Sequence, residues 1–374
     1  MFNKNVVCLE LGSSKLRVIV ASSGVNDTLI VKELASRAYE GYYQGEFVDI
    51  AHLAPNLYEL FNSIDFKKKK YNKKLYVALP SEFGKVSFVS ASVDVGSNLK
   101  VDKTDVSTLI SQALSKAEVE DGEVVSISPI SYYVDEMPTS QPIGKKGRLI
   151  SGEFSVVSSE RSLIQKLNTI ISEIGFSSVE YICEALCTAS FLTPEEEKCE
   201  GAVIIDVGHL STSVAQIKGG GLSFLTSFSI GGGHITSDLA EAFDLPYQVA
   251  ENLKKQLVIS VDADPLDVTD ISSVDGKIER IPTADAIKVV KFRLETIASA
   301  INQCLSIHGI TGSNFMSVYL IGSAVSLIKG GRDFLSKCLG RNIAFGGAPL
   351  PGKESPSDAV IYSIAAWVLK NCEN

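Results

Sequence analysis

Hydrophobic and polar positions along the chain alternate between two periods. Val6–Leu11 is a short apolar run interrupted by Glu10 and stopped at Gly12, which predicts a buried strand. Lys15–Ala21 predicts a second strand joined to the first by a tight turn, and Thr28–Leu34 a third. Ile50, Leu53, Leu57, Leu60, Phe61 and Ile64 fall at helical spacing and predict one amphipathic helix over Ile50–Ile64. A basic run follows, Lys67–Lys70 with Lys73 and Lys74. It reads first as a solvated helix end and second as a patch facing anionic lipid.

From Leu75 to about Val156 the texture changes. Strands at Leu75–Leu79, Val86–Ala91, Val124–Val134 and Leu149–Val156 surround one helix, Lys103–Ala117, whose Val106, Leu109, Ile110, Ala113, Leu114 and Ala117 share a face. The segment reads as a small α+β insert. A helix at Arg161–Ile174 follows it.

The opening pattern then recurs. Leu9-Glu10-Leu11-Gly12-Ser13-Ser14 is matched by Ile205-Asp206-Val207-Gly208-His209-Leu210, each a hydrophobic strand carrying an acid, an apolar residue and a glycine before a turn. The copies lie 206 − 10 = 196 positions apart, which predicts a hairpin duplicated in two related domains. After the second copy come strands at Thr212–Ile217 and Leu222–Ile230, the run Gly231-Gly232-Gly233, and helices at His234–Phe243 and Tyr247–Leu257. Ser260–Glu279 is acidic and reads as a loop with short strands. A long helix over Thr283–His308 leads to a strand at Met316–Ile321 and Gly322. The last helix, Ser357–Leu369, is apolar on most faces and reads as buried.

Composition narrows the function classes. The chain has 374 residues, 45% apolar and 21% charged, with a net charge of −9; this is a globular composition long enough for more than one core. The acidic balance argues against nucleic-acid binding. No run approaches the length of a membrane-spanning helix, and no secretory leader pattern opens the chain, so a cytosolic protein is expected. The seven cysteines and four histidines show no metal-ligand or disulfide spacing and read as reduced thiols and isolated imidazoles. No histidine lies near a nucleophile motif, so Ser-His or Cys-His hydrolysis has no support.

The duplicated turns carry the candidate chemistry. Backbone N–H groups of a tight glycine turn can cradle phosphate oxygens, while a carboxylate at the strand end faces a hydrated magnesium ion. Gly12, Ser13, Ser14 and Lys15 would form one such turn with Glu10 as its acid. Gly208, Ser211 and Thr212 would form the other, with Asp206 as its acid. Gly232 and Gly233, at a helix N-terminus, are a third phosphate-facing element.

In this order the chain resembles the actin-like ATPase superfamily, and within it the FtsA family of bacterial cell-division proteins. The resemblance is carried by Leu75-Tyr-Val-Ala-Leu-Pro-Ser81, by Ile130–Val134 with Pro142-Ile-Gly-Lys-Lys-Gly-Arg-Leu149, by Gly231-Gly-Gly-His-Ile-Thr-Ser-Asp-Leu239, by Ala250-Glu251-x-x-Lys254, and by Tyr319-Leu-Ile-Gly-Ser-Ala324. It implies an α/β, actin-like fold of two related halves with mixed sheets flanked by helices around a nucleotide cleft, plus a small inserted α+β subdomain of SHS2 type. The expected division is 1–74 with 157–199 and 349–374 as the first core subdomain and 75–156 as the insert. The second core subdomain is 200–233 with 310–348, and 234–309 is its outer subdomain.

The resemblance further implies ATP and Mg as cofactors, with Glu10 and Asp206 holding the metal through water. Glu251, Lys254, Gly322 and Ser323 join the nucleotide-binding set. It implies self-assembly into filaments, docking of the FtsZ C-terminal peptide at Arg293 and Glu295 on the long helix, other division proteins on the insert, and peripheral attachment at the inner face of the membrane. Phe292, Leu294 and Ile297 are expected on the buried side of that helix. Family members also carry a polar linker and an amphipathic C-terminal helix. Here the sequence stops at Asn374, so either that tail is cut off or the membrane is reached through a partner.

Departures from the family pattern bear on mechanism. The first acid is Glu10 where the family has aspartate. The second loop, usually Asp-x-Gly-Gly-Gly-Thr-x-Asp, reads Asp206-Val-Gly-His209-Leu210-Ser-Thr-Ser213. Side chains at 209 and 210 crowd the phosphate approach, and the carboxylate at 213 is gone. A loss of about 1–3 kcal/mol in nucleotide affinity is expected, roughly 5- to 150-fold. Hydrolysis, which depends on positioned metal and water, suffers more. The expected function is therefore a scaffold that binds ATP weakly. The alternatives are a PilM-like pilus-assembly adaptor and an actin-superfamily ATPase or kinase.

Overall fold

The computed structural model describes residues 5–39, 42–44, 46–47, 50–64, 66, 71, 73–261, 263–273, 276–311, 316–347 and 355–372. The basic run Lys67–Lys70 lies outside the described residues.

Two five-stranded sheets share one topology. The first runs Ser178–Cys183, Lys74–Leu79, Val6–Leu11, Lys15–Ser23, Leu29–Ala38; the second runs Ala344–Phe345, Val318–Ile321, Ala202–Val207, Thr212–Lys218, Gly221–Phe228. In each, an antiparallel three-stranded meander is followed by two parallel strands added on the far side of the first. The duplication seen in the sequence of the hairpins thus extends to whole sheets.

Hydrophobic cores occupy both faces of the first sheet. Helices Leu53–Ser63 and Arg161–Ile174 present Leu57, Phe61, Leu167 and Ile171 to Leu9, Val18 and Val77. On the other face, Glu184–Leu192 and Ala359–Asn371 fill the space between the two sheets, where Cys8, Tyr76, Cys187 and Tyr362 meet Ile204, Ile217 and Leu222. The second half is built on helix Thr283–Ile307, whose Val290, Leu294, Ile297 and Ile301 pack with the helices Gly232–Phe243 and Tyr247–Gln256.

The insert is a four-stranded antiparallel sheet in the order Lys85–Asp94, Leu149–Glu160, Gly122–Val134, Met137–Thr139, with helix Lys103–Lys116 packed on one face over Ala91, Ile150 and Phe154. Asp102 caps that helix: its carboxylate accepts from the amides of Thr104 and Asp105 at 2.7 and 3.1 Å, and Asp105 accepts in return from the Asp102 amide at 2.9 Å. Such a reciprocal cap stabilises a helix end by about 1 kcal/mol.

One boundary differs from the sequence expectation. The strand Lys74–Leu79, assigned to the insert, lies in the middle of the first half's sheet, parallel to Val6–Leu11 on one side and Ser178–Cys183 on the other. The insert therefore begins after the Ser81–Phe83 turn. The physical signal is the continuous run Leu-Tyr-Val-Ala-Leu. A parallel strand covered on both faces is apolar throughout, whereas the half-exposed insert strands alternate. The spacing of Cys183 and Cys187 marks a helix start, which opens the helix Glu184–Leu192, whereas strand Ser178–Cys183 and helix Gly331–Leu339 are elements the sequence pattern did not single out.

Candidate functional site

The two duplicated hairpins face each other across a cleft of about 660 Å³, including the part open to solvent. Their turns close in the same way. The Gly12 N–H donates to the Lys15 carbonyl at 3.0 Å, and the Gly208 N–H to the Ser211 carbonyl at 2.9 Å. A Cβ on Gly12 would sit 2.6 Å from that Lys15 carbonyl oxygen, so the tight turn requires glycine. The turns also touch each other: the Leu210 N–H donates to Ser13 Oγ at 3.3 Å, across the two halves. Gly322 closes the floor at φ +89, where a Cβ would collide with the Val207 carbonyl and the Asp206 carboxylate.

Glu10, Gly12, Ser13, Ser14, Lys15, Asp206, Gly208, Ser211, Gly322 and Ser323 all line this cleft. Thr212 does not share it: it is fully buried and its hydroxyl donates to the Ile230 carbonyl at 2.6 Å, while its neighbours Ser211 and Ser213 face the opening. Strand alternation is the cause, since Thr212 is the first residue of its strand and points to the opposite face. Gly232 and Gly233 are likewise outside the lining, and their amides are already engaged. They donate to the carbonyls of Gly208 and His209 at 2.9 and 2.7 Å. The second turn thus takes the helix N-terminal donors that a phosphate would otherwise use.

Glu251 and Lys254 form a separate buried network. Lys254 Nζ donates to Glu251 Oε2 at 2.6 Å, Thr236 Oγ1 at 2.8 Å and the Gly232 carbonyl at 3.1 Å, tying the second helix of this half to the first. Arg293, on the long helix, grips Asp238 with two bonds of 2.6 and 2.7 Å. Glu295 is exposed, and so is Phe292 at 68%. Phe292 therefore departs from the buried position expected for it, whereas Leu294 and Ile297 are fully buried.

Several cleft residues were not anticipated. Arg17 stands directly across the hairpin from Glu10. Its Nη2 meets Glu10 Oε1 at 2.5 Å, and its Nη1 donates to Asp358 Oδ1 and to the Ser357 carbonyl, both at 3.0 Å. Pairing the strands outward from the turn would have placed it. Glu184, at the N-terminus of its helix, and Glu82 and Tyr42 also line the cleft; none carries a local sequence signal.

The cleft is electrostatically crowded. Burial and the neighbouring Glu10 charge push Asp206 up to about 7. Burial, with Glu10 and Asp206 beside it, holds Glu184 well above the usual carboxylate range. Burial and the Arg17 charge lower Lys15. Burial works against the charged form of Arg17, but the Glu10 carboxylate outweighs it and keeps the guanidinium protonated.

The donor set can be tested against the divalent cation that the resemblance implies. Glu10 Oε2 is buried and has no hydrogen-bond partner, and Asp206 and Glu184 crowd the same space with unfavourable mutual charge. Among the described residues, no group of three His, Cys, Asp or Glu side chains converges closely enough to hold a metal directly. The set fits a magnesium ion held through its water shell, which would relieve the repulsion among these carboxylates.

Comparison with known proteins agrees with this architecture. The family model described as "Cell division protein FtsA" matches residues 203–363, and the one described as "SHS2 domain inserted in FTSA" matches residues 85–158. Cell division protein FtsA of Streptococcus pneumoniae serotype 2 (strain D39) is 26% identical over 294 residues, covering 78% of this chain and 63% of the relative. That of Bacillus subtilis (strain 168) is 22% identical over 314 residues, covering 83% of this chain and 71% of the relative. The chain thus spans under two thirds of the length of the pneumococcal relative. Among solved structures, a PilM-PilN type IV pilus biogenesis complex aligns with TM-score 0.65 at 16% identity over 97% of this chain and 98% of the other. MreB 5 of Spiroplasma citri bound to AMPPNP aligns with TM-score 0.58 at 14% identity over 99% and 97%. The fold is actin-like with an SHS2 insert. No helix among the described residues is long and apolar enough to cross a membrane.

Proposed function

We propose that this chain, which is an FtsA-type actin-like protein, works as a division scaffold rather than as a catalyst. In this reading it binds ATP weakly, with Glu10 and Asp206 facing a hydrated magnesium ion, and assembles into actin-like filaments. It links the FtsZ C-terminal peptide to the cytoplasmic face of the membrane and meets other division proteins through the insert. Magnesium, when bound, would neutralise charge between the carboxylates and the phosphates. The chain's own residues position the phosphates by the Gly12 and Gly208 turns and order the first acid through Arg17.

The observation that carries the scaffold reading is the asymmetry of the two hairpins. Across from Asp206 stands Ser213, where the family has a second carboxylate. The adjacent helix amides are occupied by the Gly208 and His209 carbonyls. Both features weaken phosphate and metal positioning while leaving the cleft itself built. The likeness to PilM rests on fold alone, and the two FtsA family models favour the division role.

The test combines three measurements on the same preparation. Calorimetric titration with Mg-ATP is expected to show weak binding, and phosphate release is expected to stay near background. Filament formation on lipid vesicles is read by sedimentation and electron microscopy with and without nucleotide. Turnover of several per second, or no assembly on a lipid surface under any nucleotide condition, would overturn the reading.

A further inference from the structure

Where the insert meets the second half, three consecutive glycines face a fault in the insert sheet. The insert strands Gly122–Val134 and Leu149–Glu160 slip register between Glu153 and Phe154, which pair with Ser131 and Pro129 and leave Ile130 as an unpaired extra residue. A bulge of this kind turns backbone groups out of the ladder. The turn Lys218–Gly221 between two strands of the second half is inserted against it. The Gly220 N–H donates to the Pro129 carbonyl at 2.7 Å. Gly219, at φ +57, lies so close to the Ile130 carbonyl that any Cβ would collide with it. A Cβ on Gly221 would come within 2.8 Å of Ser155 Cβ. On the other side of the turn, the Gly219 N–H donates to the Lys198 carbonyl at 2.9 Å, at the end of the last helix of the first half. Further along the same edge strand, Leu225 packs where Gly84 leaves room at the root of the insert, with a Cβ there meeting it at 3.1 Å.

We infer that the Lys218–Gly221 turn and the Pro129–Ile130 bulge form a clasp through which the insert fastens the second half to the first and restrains the opening of the cleft. The chain itself passes between the halves twice, at Gly201 and between Phe345 and Ala359. Two crossings define a hinge axis. The apolar core shared by the two sheets can shear as side chains repack, but a backbone-to-backbone crossing at the insert resists rotation about that axis unless the insert travels with the second half. Three side-chain-free residues in a row allow backbone to rest on backbone, a contact with no freedom to slide past a bulge. The insert, though it has its own small core, is in this account a working part of the hinge. A partner that moves the insert acts on the cleft, and by reciprocity a cleft ligand acts on the insert. Neither the clasp nor its test depends on whether the cleft takes ATP.

The test is hydrogen exchange on the full chain without nucleotide, read at the Leu210 amide, which bonds Ser13 across the cleft. Gly219→Ala breaks the clasp. Gly340→Ala is its control, because Gly340 sits at φ +63 with nothing within 4 Å of a Cβ and so carries the same backbone strain without a clash. Exchange in the long helix Thr283–Ile307 verifies that each variant is folded. Gly219→Ala is expected to speed exchange at Leu210 by about tenfold or more, and Gly340→Ala to leave it unchanged. A folded Gly219→Ala with wild-type exchange at Leu210, or equal acceleration by Gly340→Ala, overturns the clasp. If Gly219→Ala does not fold, the unmodified protein decides: the Gly220 amide must exchange as slowly as the insert strand it bonds, and exchange at the rate of a free surface turn overturns the inference.

Discussion

Glu10 and Arg17 face each other across the first hairpin at 2.5 Å, both 5% exposed. The equivalent positions of the second hairpin hold Asp206 and Ser213, so the duplicated frame carries an ion pair in one half and a lone acid in the other. The pair gives the first acid a fixed partner, and Asp358 extends it to the start of the last helix.

Arg17→Met is expected to destabilise the protein by about 3–5 kcal/mol, because it strands Glu10 as a buried charge without a partner. Chemical denaturation measures this. Glu10→Gln combined with Arg17→Met should recover much of the loss, since both charges are then gone. A double variant no more stable than Arg17→Met alone would show that packing of the arginine stem, not the charge pair, is what matters.

The second hairpin makes the opposite experiment possible. Ser213→Asp places a carboxylate directly across from Asp206, and like charges in that relation destabilise an antiparallel pair by about 1 kcal/mol. A hydrated magnesium ion between them should reverse the sign. Thermal midpoints are therefore expected to fall for Ser213→Asp in chelator and to recover with magnesium, while those of the unmodified protein, which has one carboxylate fewer to neutralise, rise by a smaller amount with magnesium. Equal destabilisation with and without magnesium would rule out a cation at this position.

How far the site was legible follows from these same residues. Gly12 and Gly322 stood out because a tight turn or a left-handed φ leaves no alternative to glycine, and Gly208 because it repeats the first turn. Thr212 and Gly232 were misplaced because a motif gives spacing along the chain but not the direction of each side chain or amide. Arg17 was within reach through strand register. Glu184 was not: it opens the helix after the strand Ser178–Cys183, and the place of that strand is set by the Lys74–Leu79 strand beside it. The boundary of the insert failed for a related reason. A continuous apolar strand belongs wherever two covered faces await it, and that is a property of the assembled sheet. The exposure of Phe292 was hidden because Arg293, its neighbour, turns inward to Asp238.

That inward turn changes what Arg293→Glu reports. The bidentate Arg293–Asp238 pair is half-buried, with each side chain 25% exposed, and its loss with charge reversal is expected to cost about 1–2 kcal/mol of stability. A drop in affinity for the FtsZ C-terminal peptide would then mix docking with local disorder. The charge swap Arg293→Asp with Asp238→Arg restores the pair, and Phe292→Ala removes an exposed ring without touching it. Anisotropy with labelled peptide should show Phe292→Ala weakening binding in a protein of unchanged stability. Full affinity in that variant would move the docking site off this face.

Lys254 offers a test in which pH supplies the sign. The residue is 3% exposed, and its ammonium bonds Glu251, Thr236 and the Gly232 carbonyl. Lys254→Met leaves those acceptors with one donor fewer and is expected to cost about 3 kcal/mol near neutral pH. Burial alone would raise the Glu251 pKa, but the Lys254 charge and hydrogen bond overcome it and hold the carboxyl below its ordinary value. A carboxylate with a depressed folded pKa contributes stability that is present above the unfolded pKa, near 4.5, and is lost as pH falls through the folded one. Removing Lys254 removes that contribution. The gap between the unmodified protein and Lys254→Met should therefore be widest above pH 5 and narrow as the pH falls below 4. Urea denaturation at pH 7, 5 and 3.5 measures it, and a gap that stays constant or widens toward acid would mean that Lys254 stabilises the helix pair by packing and not through Glu251.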